Sequence, residues 1–187
     1  MKYRLEYGKT GLDFNLSDDL HVDIVESKWE PELDEPLKAV AEALRSPIGS
    51  RSLGEKVQPG ARVGIVFSDI TRATPYHLIL PPLIDVIEEK NAEIILFNAT
   101  GTHRANSDEE LESILGKDIP HHYRIVQNDC GAKDSHRVIG TTKGGNEVSI
   151  HREFLECDLK VLTGFIEPHF FAGFSGGGHR AGRSEDG

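Results

Sequence analysis

Cysteine is scarce in this 187-residue chain, which contains only Cys130 and Cys157. The two residues form no C-x-x-C pair, so the sequence indicates neither a disulfide framework nor a cysteine-based metal site. We expect both thiols to be reduced and structural or incidental. This usage predicts a cytoplasmic protein.

Long apolar runs are also absent. No stretch of 18 apolar residues occurs, so we expect no membrane-spanning helix. The first eight residues lack the apolar segment of a signal peptide. Basic residues are outnumbered, at 21 against 31 acidic ones, which argues against binding to nucleic acid or to an anionic membrane surface. A local basic pocket for a small anion remains compatible with this charge.

The composition is that of a globular domain, with 37% hydrophobic and 28% charged residues. Residues 2–16 predict a hairpin that turns at 8–11, and apolar spacing predicts a helix over 34–46. Further on, the pattern predicts strands over 62–67, 93–99, 123–127 and 159–163, with short strands near 136–140 and 146–150. Between them, a helix is expected from Pro75 to about Lys90 with Thr74 as its cap, and another from a capping box at 107–110 to Gly116. The alternation indicates an α/β fold, with a Rossmann-like, mainly parallel sheet and helices on both faces.

Three polar loops each follow an apolar strand, at residues 68–72 (SDITR), 101–104 (GTHR) and 167–178. The carboxyl ends of parallel strands line one crevice, so we expect these loops to meet there. In the first loop, Asp69 and Arg72 precede a helix start, which suits binding of a carboxylate or phosphate. The alternative is that the two side chains pair with each other in a surface turn.

Two histidines are candidates for proton transfer, His103 in the second loop and His169 in the third. His103 could instead be an ordinary hydrogen-bonding loop residue. His169 follows a proline and is surrounded in sequence by phenylalanines that would exclude water. Two imidazoles that flank one substrate carbon suit a reaction that runs from both faces, such as racemisation. The run from Ser175 to Gly178 would let the backbone approach a ligand closely, although glycine runs are often only flexible.

Four other histidines lie among polar neighbours, which predicts surface positions without a metal site: His121, His122, His136 and His151.

These motifs resemble the N-terminal domain of the nickel-dependent lactate racemase family. The similarity rests on residues 68–72, 101–104 and 164–177 (GFIEPHFFAGFSGG), with support from 5–8 and 44–49, and it spans nearly all of residues 3–178 in order. The resemblance implies the N-terminal domain of a two-domain enzyme with its active site between the domains. It implies a racemase that interconverts D- and L-lactate, or a related 2-hydroxy acid, and enzymes that make the cofactor as partners.

The cofactor that the resemblance implies is a nickel pincer nucleotide, which carries nickel through two sulfurs and a carbon and accepts a hydride from the substrate. His103 and His169 match the two acid/base histidines of the family. The resemblance and the glycine loop together give the residues expected to line the cofactor and substrate pocket. These are Asp69, Thr71, Arg72, Ser175, Gly176 and Gly177. No metal ligand is assigned to this chain.

The sequence departs from the family where a lysine joined to the cofactor is usual, because His179 stands there. Residues 1–178 are therefore expected to form an incomplete catalytic domain, and 179–187 an atypical polar tail that fits a truncation or a frame error. The cofactor is not expected to be retained by this chain. Two alternatives to a lactate racemase follow: a non-catalytic domain that binds a nucleotide or phosphate, and a sister racemase for another 2-hydroxy acid.

Overall fold

The computed structural model describes residues 1–25, 28, 30–169 and 173–176, with the backbone alone for His169 and Ser175. The chain divides into two compact units, Met1–Leu33 and Asp34–Gly187. No helix of the described residues is long and apolar enough to cross a membrane.

The first unit contains an antiparallel hairpin, as predicted, made of β1 (Lys2–Leu5) and β2 (Leu12–Asn15). Gly8 and Gly11 have φ angles of 59° and 74°. Glycine adopts this left-handed region without steric cost, which accounts for the turn at this place.

The second unit contains helices and strands that alternate along the chain. In order they are α1 (Pro36–Arg45), α2 (Leu53–Lys56), β3 (Arg62–Ser68), α3 (Tyr76–Glu88), β4 (Glu93–Ala99), α4 (Asp108–Leu115), α5 (Ile119–His122), β5 (Arg124–Gln127), a 3₁₀ turn (Lys133–Ser135), β6 (His136–Thr141), β7 (Glu147–His151), α6 (Arg152–Glu156), β8 (Leu159–Leu162), β9 (Glu167–His169) and β10 (Gly173–Ser175). The α4 capping box is present, with Ser107 and Glu110 each accepting from the other's backbone N–H.

Four strands form one sheet in the order β5-β4-β3-β8, and every neighbouring pair is parallel. This arrangement matches strands 3-2-1-4 of a Rossmann-like sheet. In such a sheet, the second and third strands are added on one side of the first strand, and the fourth strand pairs with its other side. Here that first strand is β3, with β4 on one side and β8 on the other. The predicted α/β fold class is therefore confirmed, and the loops after β3 and β8 flank the switch point where such sheets bind ligands.

Both faces of the sheet are covered, which explains why β3 and β4 are almost continuously apolar. On one face, alternate residues such as Val63 and Ile65 pack against Leu80 and Leu83 of α3 and against α4. On the other face, a smaller cluster joins the sheet to β7 and α6. It contains Val66, Ile95, Phe97, Ile150, Phe154 and Cys157.

Gly64 lies in the centre of β3, where a side chain has no room. A Cβ added there would lie 2.9 Å from Cys157 Sγ, 3.0 Å from Phe154 Cδ2 and 3.1 Å from Phe97 Cε2. Overpacking of a close-packed core typically costs about 1–3 kcal/mol. We therefore expect Gly64→Ala to lower the free energy of unfolding by about this amount, measured by urea denaturation.

The matched control is Gly140→Ala, because a Cβ at Gly140 would meet nothing within 4 Å. Its effect should stay within about 0.5 kcal/mol. Equal unfolding free energies for the two variants would contradict the packing described for Gly64.

Candidate active site at the carboxyl edge of the parallel sheet

The loop after β3 is built on a buried group of hydroxyls. Ser68 is fully buried, and its backbone N–H donates to the Tyr76 hydroxyl at 2.6 Å. The Ser68 and Tyr76 hydroxyls lie 2.9 Å apart, and Thr74 Oγ1 lies 3.3 Å from Ser68 Oγ. The prediction that Thr74 caps α3 is wrong, because the helix begins at Tyr76 with Pro75 in the cap position and no side chain capping it. The Thr74 hydroxyl faces Ser68 instead.

Asp69 and His103 form a direct contact across the ends of β3 and β4. Asp69 Oδ2 lies 2.6 Å from His103 Nδ1, and Asp69 Oδ1 accepts from the Thr71 hydroxyl at 2.8 Å. The Asp69 side chain is only 5% exposed, whereas that of His103 is 53% exposed. Because a carboxylate accepts hydrogen bonds, the contact favours the imidazole tautomer with its proton on Nδ1 and leaves Nε2 free to exchange a proton with a ligand.

Arg72 forms an ion pair with Glu167, whose side chain belongs to β9. Both side chains are about two-thirds buried, and the contact joins the loop after β3 to the segment after β8. The alternative in which Arg72 pairs with Asp69 is therefore wrong for the side chains, although the Arg72 N–H donates to the Asp69 carbonyl at 3.2 Å. Arg72 Nη1 donates to Glu167 Oε1, and a guanidinium has five N–H donors, so it can contact an anion as well as a carboxylate.

The third predicted loop contains a small antiparallel hairpin of β9 and β10 instead. His169 pairs with Gly173 through the backbone, two residues beyond Glu167, and Ser175 pairs with Glu167. The side chains of His169 and Ser175, the residue Gly177 and the segment 179–187 lie outside the described part of the structure.

Gly176 follows the hairpin with a φ of 102°. A Cβ at this position would lie 2.8 Å from the Phe165 carbonyl carbon and 3.2 Å from Ile166 Cα. The structure therefore shows a close approach of Gly176 to the protein's own backbone, and the predicted approach to a ligand stays a prediction.

The loop that contains His103 is held by hydrogen bonds from residues that were not predicted from the sequence. Asn98 Nδ2 donates to Asn106 Oδ1 at 2.8 Å and to Gln127 Oε1 at 3.1 Å. Gln127 in turn bonds both the N–H and the carbonyl of Asn106, at 2.6 and 2.9 Å. Asn98 is fully buried, and it is the one polar residue in the run 94–99 of β4, which was the signal in the sequence.

Arg104 extends this fastening to α4. Its guanidinium donates to both carboxylate oxygens of Glu110, at 2.7 and 2.6 Å. The hydrogen bonds from Arg104, together with those from Asn106 and the Ser107 backbone, hold the pKa of Glu110 well below its usual range. The two ends of the His103 loop are thus fixed to the sheet and to a helix, which favours a defined position for the imidazole.

The prediction of surface positions is wrong for two of the other histidines. His136 is buried, with Nδ1 3.0 Å from the Ala132 carbonyl and Nε2 2.9 Å from Asn128 Oδ1. His151 packs on it with ring centroids 5.6 Å apart, and its buried Nδ1 has no hydrogen-bond partner among the described residues. His136 and His151 are 15 positions apart in the sequence, and only the register of β6 and β7 shows that they pair.

Burial lowers the pKa of His151, with smaller contributions from His136 and Arg124. The folded protein therefore binds a proton at His151 less readily than the unfolded chain, whose histidines titrate near roughly 6.5. Stability should fall as the pH drops below that value, because the unfolded state then binds more protons. We expect His151→Phe, which retains an aromatic ring, to reduce this acid sensitivity.

The measurement is urea denaturation of both proteins between pH 8 and pH 5. The difference between variant and parent should move in favour of the variant as the pH falls, with pH 8 as the internal reference. A difference that does not vary with pH would show that His151 is not held neutral by the fold.

No group of three or more His, Cys, Asp or Glu side chains with the geometry of a metal site occurs in the described part of the chain.

Comparison with known proteins agrees with the fold. The sequence profile of the family described as lactate racemase N-terminal domain matches residues 7–181. A lactate racemase from Thermoanaerobacterium thermosaccharolyticum is 36% identical over 92% of this chain and 42% of its own length. A lactate racemase from Lactiplantibacillus plantarum is 38% identical over 75% of this chain and 34% of its own length.

Two solved structures are similar to this chain. The lactate racemase apoprotein from T. thermosaccharolyticum superposes with a TM-score of 0.83 at 36% identity, over 95% of this chain and 42% of that one. A structural-genomics protein from Thermotoga maritima gives a TM-score of 0.60 at 23% identity, over 76% of this chain and 35% of that one, and it supports the fold alone.

The sheet order defines a Rossmann-like α/β domain, and polar side chains lie at the carboxyl edge of its strands. The chain belongs to the lactate racemase N-terminal domain family. It spans about two-fifths of the length of the first curated relative that it matches.

Proposed function

We propose that this chain acts as the N-terminal catalytic domain of a two-domain racemase that interconverts D- and L-lactate or a related 2-hydroxy acid. The observation that supports this most directly is the Asp69–His103 contact at the carboxyl ends of β3 and β4. Membership of the family makes lactate the first substrate to test. A cytoplasmic location remains part of the proposal.

The α-hydrogen of a 2-hydroxy acid is difficult to remove as a proton, because the neighbouring carboxylate already carries negative charge. Removal as a hydride avoids this problem and gives a keto acid, provided that a base takes the hydroxyl proton. His103 would take that proton through Nε2, since Asp69 favours the proton on Nδ1. His169 would do the same for the other enantiomer.

A nickel pincer nucleotide, when bound, would supply the hydride acceptor that no amino acid side chain provides. Among the described residues, Arg72 fits an anionic nucleotide at this edge of the sheet, because its guanidinium is about one-third exposed there. We assign binding of the cofactor to Asp69, Thr71, Arg72, Ser175, Gly176 and Gly177. In this assignment the Arg72 cation attracts an anionic group, while the buried Asp69 carboxylate orients Thr71 and His103.

One observation favours a second function, namely that His179 stands where the family usually has the lysine joined to the cofactor. A chain without that link could hold a nucleotide or phosphate without catalysis. A sister racemase for another 2-hydroxy acid remains compatible with the same site.

A hybrid enzyme tests the proposal. Residues 1–178 are joined to the part of the T. thermosaccharolyticum relative that this chain does not match, and the product is made together with the cofactor-producing enzymes. Chiral chromatography should show conversion of D-lactate to the racemate, with the intact relative as positive control. A nickel-loaded hybrid that converts neither lactate nor other short 2-hydroxy acids would contradict the proposal and favour the binding function.

A further inference from the structure

Packing of the Tyr76 ring does not explain why this residue has a hydroxyl group. The Tyr76 ring is fully buried and meets Phe67 edge-on, with centroids 6.0 Å apart. Phenylalanine would make the same ring contact. A buried hydroxyl is costly unless it is hydrogen-bonded, so its partners indicate what it does.

Those partners lie at the end of β3, immediately before Asp69. Pairing with β8 extends along β3 only to Val66, whose carbonyl accepts from Thr163. Ser68 lies beyond that point, although it still pairs in register with Ala99 of β4 on its other side. The Tyr76 hydroxyl accepts the Ser68 N–H at 2.6 Å and lies 2.9 Å from Ser68 Oγ. The first residue of α3 thus contacts both the N–H and the hydroxyl of the last residue of β3.

Ser68 is joined by one peptide bond to Asp69, whose carboxylate reaches His103 with 2.6 Å between oxygen and nitrogen. A hydrogen bond of this kind depends steeply on distance and angle. If Ser68 were released, the direction of the Asp69 side chain would no longer be fixed from its N-terminal side.

We propose that Tyr76 is a positioning residue for the Asp69–His103 pair. Its hydroxyl fixes Ser68, and Ser68 directs Asp69 so that the proton of the His103 ring stays on Nδ1. This inference rests on the proposed function for its importance in catalysis, but the geometry it describes can be measured in the 187-residue chain itself.

The test is Tyr76→Phe, with the His103 ring nitrogens observed by long-range ¹⁵N NMR at a pH where the ring is neutral. His103→Gln assigns the signal. In the parent chain, Nδ1 should give the protonated signal and Nε2 the unprotonated one. In Tyr76→Phe, both nitrogens should shift towards intermediate values, because the tautomers would then interconvert as they do in a free imidazole.

Tyr123→Phe is the matched control, because it also removes one tyrosine hydroxyl. The Tyr123 hydroxyl donates to Glu88 at 2.7 Å and does not contact Ser68, Asp69 or His103. It should leave the His103 signals unchanged. A purely structural role for Tyr76 would lower stability without moving these signals, so an unchanged His103 spectrum in folded Tyr76→Phe overturns the proposal.

Asp69→Ala separates this proposal from the one on which it rests. If Asp69→Ala leaves the His103 tautomer unchanged, the Asp69–His103 contact itself is wrong, and the proposed function loses its main support. If Asp69→Ala changes the tautomer and Tyr76→Phe does not, only the role of Tyr76 fails. Should Tyr76→Phe not fold, Ser68→Ala removes the side-chain contact between Ser68 and the Tyr76 hydroxyl and should shift the signals in the same direction; no shift there overturns the proposal.

Discussion

Replacing His103 or His169 with alanine is expected to abolish racemisation in the hybrid enzyme, in both directions and for each variant alone. A racemase must remove a hydroxyl proton from one enantiomer and return one to the other, so a single remaining histidine cannot complete the reaction. A positioned acid or base typically contributes roughly 10²–10⁴-fold in rate. The loss in kcat should be at least of that order.

The two variants should differ in one informative respect. If each histidine serves one enantiomer, a single turnover from D-lactate and one from L-lactate should be blocked in opposite variants. Rapid-quench measurement of pyruvate from each enantiomer checks this. His77→Ala is the matched control, since His77 is exposed on α3. Near-normal turnover in either variant would refute the paired assignment.

The sequence predicted the parallel sheet well because the signals for it are local. The runs at β3 and β4 are apolar and buried on both faces, and a capping box marks the start of α4. The hairpin β6–β7 was also predicted close to its observed bounds. Each of these elements depends on neighbouring residues, so periodicity and turn residues suffice to locate it.

The site was predicted less completely because its contacts connect distant parts of the chain. The strand ends showed that Asp69, His103 and Arg72 would lie near one edge of the sheet. They could not show that Asp69 contacts a residue 34 positions away, or that Arg72 pairs with Glu167, 95 positions away. The N-cap prediction for Thr74 failed for another reason, because the Thr74 hydroxyl lies near Ser68, six positions away, and not at the helix start.

Buried polar residues were the largest omission. Tyr76 and Asn98 were not predicted to have a role, yet each hydrogen-bonds a residue at the end of a loop of the candidate site. A polar group in the core needs a partner, but the sequence alone does not identify it. Such residues become candidates for positioning roles only once their partners are known.

The second large effect concerns the cofactor, which the 187-residue chain is not expected to retain. A lysine amine joined to a thiocarboxyl group forms a stable amide-type link. An imidazole in the same place, as at His179, would form an acyl imidazole, which water cleaves readily. Non-covalent holding would remain, through Arg72 and the N-terminal end of α3. Attraction at an exposed helix terminus is worth only about 0.3–1 kcal/mol, and Arg72 is already paired with Glu167.

Nickel content after gel filtration decides this point. The 187-residue chain, its His179→Lys variant, the hybrid enzyme and a hybrid that keeps His179 are each produced with the cofactor-making enzymes. We expect stoichiometric nickel in the hybrid and very little in the 187-residue chain. The hybrid that keeps His179 should lose its nickel on extended dialysis, because only a covalent link survives repeated dilution. Stoichiometric nickel in the 187-residue chain would show that contacts at the crevice suffice and that the residue at position 179 matters little for retention.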